Sequence, residues 1–281
     1  MHRLDFTDHR RSLDDNRYVY AVVSRRVGGL SIGINLNPDK ACNFDCPYCQ
    51  VDRTVSGGDR QIDLDILDAE LDRLLRWVAD GSLWQHAPFD TAAPHYRKVG
   101  DISFAGDGEP TASGEFMAAM DRVVAVRQRH ELEDVRLSLL TNATLFQRDP
   151  VRSGIAALHA AGGEIWGKLD AGTESWFQRV DGTQLPFQRV LDNLEWAANQ
   201  YRLTIQSMFH TFDGVGPTDD EISAWVGRLS DVLESGGTIQ HVQVYSVARR
   251  PSSDAVGALE KARLDWIANQ ARTLGLSVSV Y

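Results

Sequence analysis

The sequence predicts an α/β fold, a partial open (β/α)6 TIM-like barrel of parallel strands with helices outside. Two observations predict it. From about residue 30 onward in the 281-residue sequence, six strand-like runs alternate strictly with six helix-like runs, and glycines or capping residues punctuate several of the boundaries. Such alternation implies parallel strands joined by right-handed crossovers. Six units fall short of a closed barrel of eight, so the barrel is expected to be open. A doubly wound open sheet is the alternative. In either plan the working face lies at the C-terminal ends of the strands.

Residues 30–37 (LSIGINLN) form the first strand, a short apolar run with period two. Leu64, Leu67, Leu71, Leu74, Leu75 and Val78 then recur at helical spacing, and Gly81 stops that helix. Residues 99–105 (VGDISFA) make the second strand, ending at the turn Gly106-Asp107-Gly108. Phe116, Met117, Met120, Val123 and Val124 mark the second helix. The third strand is 135–140, followed by a helix carrying Val151, Ile155 and Leu158 and closed by Gly162-Gly163. The fourth strand is 164–169, and its helix carries Val190, Leu191, Leu194, Ala197 and Tyr201. The fifth is 203–209. Thr218 with Glu221 three residues on is a capping-box signature, opening a helix through Ile222, Trp225, Leu229 and Leu233 that ends at Gly236-Gly237. The sixth strand is 239–247, the sixth helix 259–274, and 276–281 a terminal strand. Residues 82–98, rich in aromatics and proline, read as an insertion or lid. One domain is expected, a core over 30–281 with an N-terminal extension over 1–29.

Composition narrows the class. Hydrophobic residues at 43% and charged residues at 24% are the balance of a globular chain rather than a disordered one. No run of about 18 apolar residues exists, so no membrane span is expected. The polar start MHRLDFTDHRRSLDDNR lacks the apolar stretch of a secretory signal, which predicts a cytoplasmic protein. A net charge of −10, from 29 basic against 39 acidic residues, argues against a non-specific binder of polyanions.

The three cysteines, Cys42, Cys46 and Cys49, all fall within eight residues. An odd, tight cluster is a poor disulfide framework, and in a chain without an export signal it reads as a set of metal ligands. The array is C-x3-C-x2-C in the loop after the first strand. Three thiolates on a cubane cluster leave one iron without a protein ligand, where a small molecule can chelate. The alternative is a zinc site completed by a histidine such as His86 or His95, although structural zinc sites pair C-x2-C with a second such half that this sequence lacks.

With Tyr48 before the last cysteine, the array resembles the C-x3-C-x-aromatic-C motif of the radical S-adenosylmethionine (SAM) superfamily. Residues 24–28 (SRRVG) and the stretches SIGINLNPDKACNFDCPYCQ, SFAGDGEPT, LLTNATL and KLDAGT resemble the branch of tRNA wyosine-base synthases and their bacterial single-cluster relatives. The resemblance implies a [4Fe–4S] cluster on Cys42, Cys46 and Cys49, whose open iron takes the amino and carboxylate groups of SAM. It implies that one electron from the reduced cluster cleaves SAM to methionine and a 5′-deoxyadenosyl radical, which abstracts hydrogen from a substrate. An external donor, flavodoxin- or ferredoxin-like, would supply the electron. The protein's part is to orient SAM and exclude water.

The resemblance also assigns roles. Gly106-Asp107-Gly108-Glu109 stands where the superfamily has a Gly-Gly-Glu-type motif, with Glu109 receiving the SAM amino group and Asp107 departing from the usual Gly. Thr141 and Asn142, ending the third strand, are candidates for SAM ribose or carboxylate, or for an Asx turn or helix cap. Lys168 offers a cation for the SAM carboxylate and Asp170 an acceptor for ribose hydroxyls. A Lys buried in a strand is costly without an anionic partner. Tyr48 is expected to meet adenine through its backbone or to pack near the cluster. Ser207, His210 and Tyr245 lie around the ends of the fifth and sixth strands. Arg25, Arg26, Arg249 and Arg250 read either as substrate-facing or as solvated charges.

The resemblance implies a radical SAM enzyme of iron–sulfur oxidoreductase type whose substrate is a small molecule, a partner protein or a tRNA. Within that class, tRNA modification and an activase installing a glycyl radical on a partner protein are alternatives. Wyosine-forming enzymes carry further cysteines for a second cluster, and this sequence has none after Cys49. A structural zinc or electron-transfer protein is the non-enzyme alternative; an electron-transfer centre normally uses a fourth cysteine.

Overall fold

The structure, a computed structural model, describes residues 16–24, 27–248 and 251–281. Arg25, Arg26, Arg249 and Arg250 lie outside the described residues. The chain divides into two compact units, one of residues up to 41, 56–139 and 148–163, the other of 42–55, 140–147 and 164–281.

In the first unit, β1 (Val19–Ser24) runs antiparallel to β2 (Gly29–Ile34), and β2 runs parallel to β3 (Val99–Phe104). The sheet continues in parallel to β4 (Arg136–Thr141), whose first four residues belong to this unit. Leu30, Ile32, Ile34, Ile102, Phe104, Leu137 and Leu139 are fully buried, the period-two face that the sequence displays. Three helices accompany these strands: α1 (Leu64–Ala79), α2 (Phe116–Arg129) and α3 (Asp149–Ala160). Asp63 caps α1 by accepting from the Asp65 and Ile66 N–H groups, and Gly81 follows its end in the left-handed region at φ 79°. Phe104 of β3 meets Phe116 of α2 edge to face at 6.1 Å. The segment 82–98 folds as three short 3-10 turns rather than a longer element.

In the second unit, β5 (Glu164–Lys168), β6 (Leu203–Met208), β8 (Ile239–Tyr245) and β10 (Val278–Val280) pair in parallel in that order. Between β6 and β8, β7 (His210–Phe212) pairs antiparallel with β9 (Val256–Ala258). The helices are α4 (Glu174–Val180), α5 (Phe187–Gln200), α6 (Asp219–Glu234) and α7 (Lys261–Arg272). On α6 the buried face is Ile222, Trp225, Leu229 and Val232, one residue away from the expected Leu233.

The fold is α/β, with a mostly parallel, open sheet of eight strands, four in each unit. The six expected strand–helix units are all present. The structure adds β1, the β7–β9 pair and α4. No helix among the described residues is long and apolar enough to cross a membrane.

Candidate functional site

The cysteine loop belongs to the second unit, and its backbone is tied down from several directions. The Cys49 N–H donates to the Cys46 carbonyl at 2.8 Å, closing a turn. Ser252 donates through N–H to the Cys49 carbonyl at 3.0 Å and through Oγ to the Pro47 carbonyl at 2.9 Å. The Asp45 N–H reaches the Asp181 carbonyl, and Phe44 packs edge to face on Phe177 at 5.6 Å. Gly182, at φ 57°, allows that approach, because a Cβ there would lie 2.0 Å from the Asp45 oxygen.

A second tie uses side-chain amides. Asn142 Nδ2 donates to Asn43 Oδ1 at 2.7 Å, Asn43 Nδ2 donates to Thr144 Oγ1 at 2.6 Å, and Thr144 Oγ1 donates to Asn142 Oδ1 at 2.7 Å. Ala143 between them is fully buried and left-handed at φ 59°, which turns the flanking side chains toward one another. Asn142 thus makes the Asx-type contact to the Thr144 N–H and also grips the cysteine loop.

No disulfide joins the three cysteines; Cys46 is buried, and Cys42 and Cys49 are half-buried. Each sulfur has a donor beside it: the Phe44 N–H on Cys42 at 3.5 Å, Arg53 Nη1 on Cys49 at 3.3 Å, and Lys168 Nζ on Cys46 at 3.9 Å. Burial pushes the Cys46 thiol far above its ordinary value, against the opposing pull of Lys168. A thiol in that position ionises when a metal replaces its proton. Among the described residues no three His, Cys, Asp or Glu groups converge on one point as the ligands of a single ion would. A cubane makes no such demand, since each thiolate sits on a different iron. Three clustered thiols outside any disulfide, each with a donor beside it, fit that group.

Around Cys46 the second unit gathers a charged cluster. Tyr48 is buried, and its hydroxyl contacts Asp170, Lys168 and, at 3.1 Å, Asp181 Oδ1. Lys168 Nζ lies 3.2 Å from Asp170 Oδ2, 3.8 Å from Asp181 Oδ1 and 4.6 Å from the centre of the Tyr48 ring. The other Asp170 oxygen accepts the Met208 N–H at 2.8 Å. Burial, then the Asp170 carboxylate, raise Asp181 to about 8. Burial lowers Lys168, but Asp170, Cys46 and Asp181 together hold it well above its ordinary value. The structure brings Tyr48, Lys168, Asp170 and Cys46 together in one cluster of contacts. It adds Asp181, Asn43 and Thr144, which the sequence reading missed.

The turn after β5 is clamped from α6. Glu221 accepts from the Gly172 and Thr173 N–H groups and from Thr173 Oγ1 at 2.6 Å. Only half of the expected capping box forms: Thr218 Oγ1 accepts the Glu221 N–H, while the Glu221 carboxylate serves this turn. Gly172 is needed because a Cβ would meet the Trp225 nitrogen at 2.1 Å. Ser207 is fully buried, donates to the Leu169 carbonyl and accepts from Trp225 Nε1, so it belongs to the core. His210 is buried 5.3 Å from the Tyr48 ring, its Nδ1 on the Thr211 carbonyl.

Gly106, Asp107, Gly108 and Glu109 belong to the first unit. A Cβ on Gly106 would come within 2.2 Å of Asn35 Oδ1, and one on Gly108 within 2.0 Å of the Ala41 oxygen. Asp107 is paired with Asn35, whose Nδ2 donates to it at 2.8 Å while its Oδ1 accepts the Asp107 N–H. Glu109 is buried and accepts from Thr111 through N–H at 3.1 Å and Oγ1 at 2.5 Å.

The Radical SAM superfamily description matches residues 36–226, and the chain belongs to that superfamily, whose enzymes use a [4Fe–4S] cluster and SAM. Among curated proteins it is 22% identical over 261 residues to a Brachyspira hyodysenteriae protein named GTPase Obg, covering 91% of this chain and 33% of that protein. The chain spans about a third of the length of the curated relatives it matches. Among solved structures, a radical SAM methyltransferase from Sphaerobacter thermophilus superposes with a TM-score of 0.64 at 14% identity, over 94% of this chain and 68% of that one. TYW1 with a lysine–pyruvate adduct bound superposes with a TM-score of 0.58 at 12% identity, over 94% and 86%. These likenesses show a shared fold.

Proposed function

We propose that Cys42, Cys46 and Cys49 hold a [4Fe–4S] cluster and that the protein is a radical SAM enzyme acting on SAM and a second substrate. The observation that carries the reading is the loop of three cysteines outside any disulfide, each sulfur beside a hydrogen-bond donor or cation, in a chain of this superfamily. When bound, a cluster with one open iron supplies the electron that cleaves SAM to methionine and a 5′-deoxyadenosyl radical. Glu109 receives the SAM amino group, with Gly106, Asp107 and Gly108 shaping the turn that presents it. Asn142 holds the cysteine loop, and Lys168, Asp170 and Tyr48 line its Cys46 side. The core that carries this chemistry is residues 30–281. Residues 1–29 are an extension whose Val19–Ser24 segment pairs with β2. A flavodoxin- or ferredoxin-like protein donates the electron, and the enzyme works in the cytoplasm.

Anaerobic reconstitution followed by dithionite reduction tests this. A [4Fe–4S]⁺ EPR signal that changes on adding SAM, with release of 5′-deoxyadenosine, is expected. Bound zinc with no iron–sulfur signal overturns the reading. Replacing Cys42, Cys46 or Cys49 by Ala is expected to abolish cluster binding, and a variant with a full iron complement removes that cysteine from the ligand set.

A further inference from the structure

Lys168 occupies a position that pairing with one carboxylate would not require. Its ammonium lies between Asp170 and Asp181, touches the Tyr48 hydroxyl and comes within 3.9 Å of Cys46 Sγ. The Tyr48 hydroxyl contacts both carboxylates as well, so three side chains fix where the cation stands relative to the sulfur. Asp170 is anchored in turn by the Met208 N–H. A charge held this rigidly beside a cysteine sulfur acts on any iron bound to that sulfur. The reduced form of an iron–sulfur cluster carries one more negative charge than the oxidised form, so a fixed cation beside it favours reduction and a fixed anion opposes it.

We propose that Lys168 sets the reduction potential of the cluster through Cys46, with Asp170 as the opposing charge that holds it in place. This rests on the assignment of Cys46 as a cluster ligand. Lys168 is here a positioning residue: it supplies no electron and breaks no bond, while the one electron comes from the external low-potential donor and resides on the cluster.

The test is the midpoint potential, read by EPR during anaerobic redox titration of reconstituted protein. Lys168→Met is expected to shift the potential to a more negative value, and Lys168→Arg, which keeps the charge, to stay near the wild type. Asp170→Asn, which removes one negative charge at constant shape, is expected to shift it the other way. Lys261→Met, which removes a charge from an exposed pair with Asp265 on α7, is the control expected to leave the potential unmoved. A Lys168→Met protein with full iron content and the wild-type potential overturns the inference. So does a Lys168→Arg protein shifted as far as Lys168→Met, since packing rather than charge would then be responsible. If Lys168→Met holds no iron, Lys168→Gln, which keeps a hydrogen-bond donor there without the charge, decides: a negative shift supports the role and an unchanged potential refutes it. Absence of any iron–sulfur signal in the wild type refutes the cluster assignment itself and is distinguishable from all of these.

Discussion

Asn142 at the end of β4 and Asn43 in the cysteine loop are joined amide to amide, Asn142 Nδ2 donating to Asn43 Oδ1 at 2.7 Å. Thr144 closes the ring, so each amide meets a partner on both its oxygen and its nitrogen. The backbone of the first ligand loop is thereby fixed by a strand end remote in sequence.

Breaking that ring takes hydrogen bonds from the buried Asn142 and Thr144 side chains, a cost of about 1–3 kcal/mol. Asn43→Ala and Asn142→Ala are each expected to lower stability by about that amount, and the double variant to lose less than the sum because the two share one contact. Urea unfolding of the apoprotein measures this. Both variants are also expected to release iron faster to a chelator.

Glu109→Ala is expected to retain the cluster and lose SAM affinity by about tenfold or more, the worth of a hydrogen bond between charged groups. Calorimetric titration of the reconstituted protein with SAM checks it, with iron content as the control. Unchanged affinity would remove Glu109 from the cofactor site.

Arg127 is a structural counterpart with no part in the chemistry. Although almost fully buried, it donates to the carbonyls of Leu132, Ala161, Glu133 and Val135, binding the end of α2 to the approach to β4 and to the end of α3. Arg127→Met keeps the length of the side chain but takes the guanidinium from all four carbonyls, of which that of Leu132 keeps the Val135 N–H, with an expected loss of about 3 kcal/mol or more. Denaturant unfolding would show it.

Asp72 gives stability a pH dependence of known sign. Burial raises its carboxyl, but His130 at 2.9 Å, Arg76 and Arg129 outweigh burial and hold it below its ordinary value. A depressed carboxyl contributes stability that is complete above its unfolded value and lost as the pH falls through its folded one. The stability gap between wild type and Asp72→Asn is therefore expected to be present at pH 7 and to close in strong acid, read from unfolding midpoints at the two pH values.

The strands and long helices were legible because each buries a face with a clear period: Leu67, Leu71 and Leu74 in α1, Leu30, Ile32 and Ile34 in β2. What escaped lacks a period. Helix α4 has seven residues, too few for a repeat to show, and β1 lies before the alternation begins. Among site residues, Cys42, Cys46, Cys49, Tyr48, Lys168 and Asp170 announce themselves by motif or strand-end position. Asp181 follows a helix that the pattern did not reveal, and only its Asp-Gly step hinted at a turn. Glu221 was visible as a capping residue, yet its carboxylate reaches across to Gly172 and Thr173, a partnership fixed by tertiary packing alone.

The two carbonyls of the ligand loop that Ser252 holds, at Pro47 and Cys49, lie about 200 positions earlier in the sequence, 205 for Pro47. Contacts of such separation form late, once most of the polypeptide has collapsed. During synthesis, then, the three thiols emerge early and wait as neighbours without a defined spacing, open to oxidation or to the wrong metal. Loading the correct cofactor is thus a matter of timing as much as affinity.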